Sequence, residues 1–268
     1  MIPTEGTRER VAHLPEGAKV AITCSPTQGI ESTLLLGGEL LERGFRIAPH
    51  IAARLVADRA HLEEIVRRLD HLGVREIFVI GGDAKKPVGL FSNAFELLSA
   101  MADLGHDFDR IGVGGYPEGH PYIDEETLRR ALLNKQPFAT YIVSQMSFDP
   151  GAILSWVADI RRRGIALPVY IGIPGVVERK KLLQISLKIG VGDSARYLTK
   201  YTNVLTRFLK SGGYSPDDLV KGLAPYVGDP DYNIAGFHIY TFNQVESTEE
   251  WRQQILDSER AGSTVNTR

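Results

Sequence analysis

Short apolar runs in this chain repeatedly end in residues able to bind a small molecule. Lys19–Ile22 leads into Thr23-Cys24-Ser25-Pro26, and Phe45–Ile51 contains Pro49-His50. Glu76–Ile80 ends in Gly81-Gly82-Asp83, and Arg110–Val113 runs into Gly114-Gly115-Tyr116-Pro117. Thr140–Ser144 leads to Gln145-Met146-Ser147-Phe148, and Leu167–Ile171 to Gly172-Ile173-Pro174. Ile234–Thr241 closes the series with Tyr240-Thr241-Phe242-Asn243. These ends are rich in glycine, aromatic rings and neutral polar groups, with few charges. Such a lining suits a planar heteroaromatic ligand: glycines allow close approach, and polar groups read ring edges. A cofactor then carries the chemistry while the protein orients it.

Other chemistries find less support. Neither G-x-x-x-x-G-K-[ST] nor G-x-G-x-x-G occurs, because Pro117 replaces the last glycine of the second pattern. His50, Asp83 and His120 form no H-x-H or H-E-x-x-H pair, so no metal site is expected. No G-x-S-x-G is present, and Ser25 and Ser144 have no base identifiable from sequence. One cysteine, Cys24, excludes an intramolecular disulfide and any multi-cysteine cluster.

The elements that must position these residues alternate between strand-like and helix-like runs, recurring every ~25–30 residues without self-similarity, as βα units do. Asp58 is placed to cap a helix with Leu62, Ile65, Val66, Leu69 and Leu72 on one face and Gly73 as its stop. Asp149 is similarly placed before Ile153, Trp156, Val157 and Ile160. Glu178–Ile189 reads as a helix, residues 190–231 as a longer excursion, and Thr248–Leu256 as a last helix. Arg161-Arg162-Arg163 reads as a solvated helix end. Chemistry-bearing residues at nearly every strand end favour a (β/α)8 TIM barrel over an open sheet, which would gather them at one switch point. Seven strands are legible, one short of closure. We expect one domain over residues 1–256 and a disordered polar tail over 257–268.

The chain has 268 residues, 43% hydrophobic and 24% charged, ordinary for a globular protein. Its net charge of −2 argues against a nucleic-acid binder. No apolar run approaches the ~20 residues of a membrane span, and no signal pattern opens the chain. A cytoplasmic protein with no nucleic-acid or membrane partner is the expectation.

The Gly-Gly-Asp of 81–83, the Gly-Tyr-Pro-Glu-Gly-His-Pro of 115–121, Gln145 with Phe148-Asp149, Gly172-Ile173-Pro174 and Tyr240-Thr241-Phe242-Asn243 stand in a telling order. Their order is that of the methylenetetrahydrofolate reductases, which the chain resembles from Lys19 to Trp251. Pro49-His50 is similar to that family's strand ending in His-Leu-Thr. The resemblance implies a TIM-barrel oxidoreductase in which NAD(P)H reduces FAD. The flavin N5 then passes hydride to 5,10-methylenetetrahydrofolate, giving 5-methyltetrahydrofolate.

It also implies roles. Asp83 would lie near the flavin N1/C2 edge and the folate, tuning flavin charge and favouring cationic folate intermediates; alone, it could equally cap the next helix. Thr23, His50, Gly115, Tyr116 and His120 would contact the flavin, and Lys135 its phosphates, although its spacing to Gln145 is one residue short. Gln145 would read the pterin edge, and Tyr240 would line the folate pocket. Without the resemblance, His50 reads as a buried histidine, the Tyr-Pro-Glu-Gly-His-Pro segment as a turn, and Tyr240 as core. A homo-oligomer is compatible with all of this.

Departures from the family pattern are specific. Gly82 stands where many relatives carry Arg, and Cys24 and Ser25 differ from a Thr-Tyr-Gly motif. Gln244 replaces an Arg that helps hold the folate tail, and Ile185 replaces a stacking aromatic. The family's first strand, of the type Phe-Glu-Phe-Phe-Pro-Pro, carries a general acid. If Pro3 matches its first proline, that glutamate falls before Met1, and the first strand is expected to be missing or truncated. Two alternatives follow: an enzyme oxidising methyl-tetrahydrofolate, or an impaired folate- or flavin-binding homologue acting as a partner subunit.

Overall fold

The computed structural model describes residues 1–178, 182 and 215–265. Seven strands form one sheet: β1 (Lys19–Ile22), β2 (Arg46–Ala52), β3 (Glu76–Ile80), β4 (Arg110–Gly115), β5 (Tyr141–Ser144), β6 (Val169–Pro174) and β7 (Ile234–Tyr240). They lie in sequence order, and every neighbouring pair is parallel. Between them run α2 (Gly29–Glu42), α3 (Arg59–His71), α4 (Ala94–Leu104), α5 (Glu125–Lys135), α6 (Pro150–Arg162) and α7 (Asp217–Leu223). A short α1 (Thr7–Arg10) precedes β1, and α8 (Val245–Val265) follows β7. This is a TIM-barrel-like α/β sheet, with β1 and β7 as its edges among the described residues.

Strand parity divides the side chains between two layers. Val20, Ile22, Ile47, Ile77, Val79, Ile111, Val113 and Ile142 belong to the main core under the helices. Gly37 of α2 shows how tight that layer is: an added Cβ would stand 2.9 Å from Ile47 Cδ1. The opposite face lines the barrel interior, where Phe78, Tyr141 and Val143 cluster with Ile80 and Tyr170. Gly112 faces this cluster, and a Cβ there would meet the Phe78 and Tyr141 rings at 2.4 Å.

The floor of the interior is charged. Lys19 Nζ donates to Glu76 Oε1 at 2.9 Å, and Arg110 Nη2 donates to the Tyr170 hydroxyl at 3.3 Å. Arg110 Nε lies 3.2 Å from Glu76 Oε2 but lacks the alignment of a hydrogen bond. Its guanidinium sits 4.8 Å over the Tyr141 ring.

The opposite end of the β1–β7 seam is bridged by residues 1–7. Thr23 N donates to Met1 O at 2.7 Å. Asn243, just beyond β7, accepts from Ile2 N at 3.0 Å and donates to Ile2 O at 3.0 Å and Thr4 Oγ1 at 3.1 Å.

The expected caps form: Asp58 accepts from His61 N at 2.8 Å, and Asp149 from Gly151 N at 2.8 Å. Other elements differ from expectation. β6 starts two residues late because Pro168 has no N–H to give, although its carbonyl accepts from Ile142 N at 2.9 Å. β4 runs on through Gly114 and Gly115, which pair with Val143 and Ser144. The last helix continues to Val265, through much of the stretch expected to lack structure, where Glu259, Arg260 and Ala261 are good helix formers. Arg161 is no solvated end: it donates to Tyr232 O at 2.9 Å and to Ile165 O at 2.5 Å. Most of the expected Glu178–Ile189 helix, including Ile185, and the first part of the 190–231 excursion lie outside the described residues. Among the described residues, no helix is long and apolar enough to cross a membrane, and no group of three or more His, Cys, Asp or Glu could hold a metal ion.

Candidate active site at the strand ends

Parallel strands in sequential order put all their C-terminal ends on one face, so residues distant in sequence converge there. β4 delivers the most. After Gly115 the chain turns at Tyr116–Gly119, where Gly119 takes φ +79°. The Tyr116 and His120 rings then meet edge to face at 5.4 Å. Asp83 reaches both electrostatically. Burial raises the Tyr116 pKa and the Asp83 charge adds to the rise. Burial lowers that of His120, which Asp83 partly opposes. Asp83 itself is exposed. It does not cap α4, because Asn93 does so, accepting from Glu96 N at 3.1 Å.

Each strand contributes its group by parity. Thr23 follows β1 and is half-buried. His50 on β2 faces inward, its ring 4.7 Å from Phe78. Burial lowers its pKa well below the usual 6.5, so the imidazole is neutral at physiological pH. Gln145 follows β5: its N donates to Gly115 O at 2.7 Å, and its Oε1 accepts from Met146 N at 2.9 Å. The Gln145 amide nitrogen remains as the donor on this side chain, because Asp149 fills the capping role at α6. Tyr240 on β7 donates its hydroxyl to Ser144 O at 3.1 Å and stacks on Phe242 at 6.2 Å between centroids.

The glycines divide between wall and packing. Gly114 faces the mouth, where an added Cβ would stand 3.7 Å from the Tyr116 hydroxyl. Gly172 must lack a side chain, since a Cβ would come within 2.2 Å of Ser144 O and 2.7 Å of the Tyr240 ring. Gly115 faces the helices instead, and its Cβ would strike Trp156 at 2.7 Å. Lys135, at the end of α5, is buried, with Nζ donating to Gly114 O at 3.2 Å. Burial lowers its pKa to about 8.

The structure thus brings Tyr116 and His120 together within reach of the Asp83 charge, sets Gln145 and Tyr240 on the neighbouring strand ends, and turns His50 inward against Phe78. Lys135 sits apart from the open mouth, against the β4 backbone. Two residues escaped sequence reasoning. His238 precedes Tyr240 by two positions on β7 and so shares its face, with ring centroids 4.9 Å apart. That parity was a usable signal. Burial lowers the His238 pKa to about 4. Glu118 sits inside the motif, but nothing in its spacing indicates that its carboxylate turns to the next strand's loop.

Comparison with known proteins points to one family. The family model described as methylenetetrahydrofolate reductase matches residues 22–192. Methylenetetrahydrofolate reductase 1 of Schizosaccharomyces pombe is 30% identical over 120 residues, covering 42% of this chain and 20% of that protein. Methylenetetrahydrofolate reductase 2 of Saccharomyces cerevisiae is 28% identical over 127 residues, 43% of this chain and 21% of that one. Methylenetetrahydrofolate reductase (NADH) 1 of Arabidopsis thaliana is 27% identical over 146 residues, 45% and 25% respectively. The matched part therefore spans a quarter or less of these relatives' own length.

Proposed function

The chain belongs to the methylenetetrahydrofolate reductase family, and on that premise we propose that its strand-end mouth reduces 5,10-methylenetetrahydrofolate to 5-methyltetrahydrofolate, with FAD as cofactor and NAD(P)H as electron source. The observation that carries this reading is the edge-to-face meeting of Tyr116 and His120 beside a wall opened by Gly114, with the Asp83 charge acting on both.

The residues present fit a flavin dinucleotide. The mouth has a side-chain-free strip at Gly114 with two aromatic rings beside it, and behind that strip, held to Gly114 O, lies the buried Lys135 amine, whose desolvated charge suits a phosphate. Tyr116, His120, His50 and Thr23 would hold the ring system, Gly115 would offer its backbone, and Lys135 would face the phosphates. Bound there, FAD supplies the hydride transfer that no amino-acid side chain can perform.

The chain's own groups do the rest. Asp83 is a carboxylate at the mouth, placed to stabilise positive charge that develops on a folate during ring opening. The Gln145 amide donates to an acceptor on a pterin edge, and Tyr240 forms an apolar wall fixed by its bond to Ser144. His50 and His238 present neutral imidazoles below the mouth, able to donate or accept but carrying no charge. Gln244 is taken up internally, its Oε1 accepting from Glu178 N at 3.2 Å, and adds no cation for an anionic substrate tail.

The test is spectroscopic. Purified protein should show flavin absorbance, bleach with NADH or NADPH, and regain colour on adding methylenetetrahydrofolate. Reoxidation driven by folate establishes the reaction. Bound flavin with no folate-dependent reoxidation would overturn the reductase reading in favour of a binding subunit, and protein that takes up no flavin would remove the cofactor assignment.

A further inference from the structure

The loops that carry the two sides of the mouth are joined through one carboxylate. Glu118 lies in the turn closed by Gly119 N donating to Tyr116 O at 3.2 Å, between the two rings of the flavin side. Its Oε1 accepts from the Ser147 hydroxyl and from Phe148 N, the latter at 3.3 Å, both in the loop after β5. Ser147 is completely buried, and its N donates to Gly172 O at 3.3 Å. From β6 the chain of bonds continues. Gly172 N donates to Ser144 Oγ at 2.8 Å, and Ser144 O accepts from the Tyr240 hydroxyl at 3.1 Å. A continuous polar path therefore runs from Glu118 across β5 and β6 to Tyr240 on β7.

We propose that Glu118 is a positioning residue: its carboxylate clamps the Tyr116–His120 turn to the Gln145–Phe148 segment and so sets the cofactor side and substrate side of the mouth in register. This rests on the flavin-and-folate reading of the site. A clamp is needed there because the two segments leave different strands, and past the bond from Gln145 N to Gly115 O at 2.7 Å the sheet ladder no longer fixes their separation. Misplacing reacting groups by about 1 Å can cost on the order of 100-fold in rate. Removing the carboxylate withdraws an acceptor from a buried hydroxyl and a backbone N–H, whereas glutamine keeps an acceptor oxygen at the same reach. Aspartate is one methylene too short to span the gap.

The experiment compares Glu118→Gln, Glu118→Asp, Glu118→Ala, Ser147→Ala and the Glu118→Ala/Ser147→Ala double variant with the wild-type chain. Amide hydrogen exchange in ligand-free protein is the first readout. Protection at residues 116–120 and 147–148 should fall about 10-fold or more in the alanine and aspartate variants, and stay near wild type in Glu118→Gln. Steady-state turnover is the second. kcat should drop roughly 10- to 100-fold, with KM for the folate moving less than ~3-fold, and the double variant should be no worse than Glu118→Ala. Unchanged exchange in both loops, or a Glu118→Gln variant as impaired as Glu118→Ala, overturns the clamp. If Glu118→Ala does not fold, Ser147→Ala and Glu118→Asp decide by the same criteria. Wild-type protein that takes up no flavin sinks the functional reading while the exchange arm still judges the clamp.

Discussion

Burial lowers the pKa of Lys135 to about 8 from 10.5, so at neutral pH the folded chain holds a desolvated cation against one backbone carbonyl, Gly114 O. Between those two pKa values the unfolded chain binds the proton and the folded chain does not. Stability therefore rises with pH across that window, by up to about 3 kcal/mol. Urea denaturation of wild type and Lys135→Met between pH 7 and 10.5 should show this slope as the difference between the two proteins, and a flat difference would contradict it. A phosphate group near the amine acts the other way, restoring its basicity, so the slope should shrink when flavin dinucleotide is present. The same residue would then appear as a stability defect without ligand and as an anchor with it.

At the scale of elements, Glu76 ties the first residues of three strands. Burial alone would raise its pKa, but hydrogen bonds from Lys19 and Tyr141 and the charges of Lys19 and Arg110 outweigh this and leave it below 4.5. A carboxylate lowered in the folded state adds stability that is present above its unfolded pKa and lost as pH falls through its folded one. Wild type should therefore lose stability in acid below about pH 4.5. Glu76→Gln should be weaker by about 2 kcal/mol at pH 7 and converge on wild type in acid. Chemical denaturation along a pH series measures both.

How far such elements were readable differs along the chain. β1 and β3 emerge with their observed ends because each is a short apolar run bounded by polar or glycine residues. β4 was cut short because Gly114 and Gly115 have the chemistry of a turn, and only the ladder to Val143 and Ser144 makes them strand. The candidate residues were found mostly through a motif resemblance. Parity alone would have added His238. Glu118 lay beyond reach because its partners sit about thirty residues away, across a strand boundary that no local pattern encodes.

For the whole molecule, a sheet whose strands lie in sequence order makes almost all its strand contacts between consecutive βα units. The tie between residues 1–7 and Asn243 instead joins the two ends of the sheet. Asn243 holds a left-handed backbone, φ 62°, while its amide makes bonds to Ile2, Thr4 and Thr7. Ile2 and Asn243 are 241 positions apart, so this clasp closes a loop of nearly the whole chain. Loops of that length are costly to close before the intervening structure exists, so the clasp belongs late on the folding path, after the transition state. Its loss should be felt almost entirely in unfolding. Asn243→Gly keeps the backbone conformation and removes the side chain. It should speed unfolding about 5- to 30-fold, for about 1–2 kcal/mol, and leave the refolding rate nearly unchanged in stopped-flow measurements. Equal effects on both limbs of the chevron would place the clasp in the nucleus instead. A bond set at the rim of the sheet thus governs how long its two ends stay joined, and has little part in how fast the fold forms.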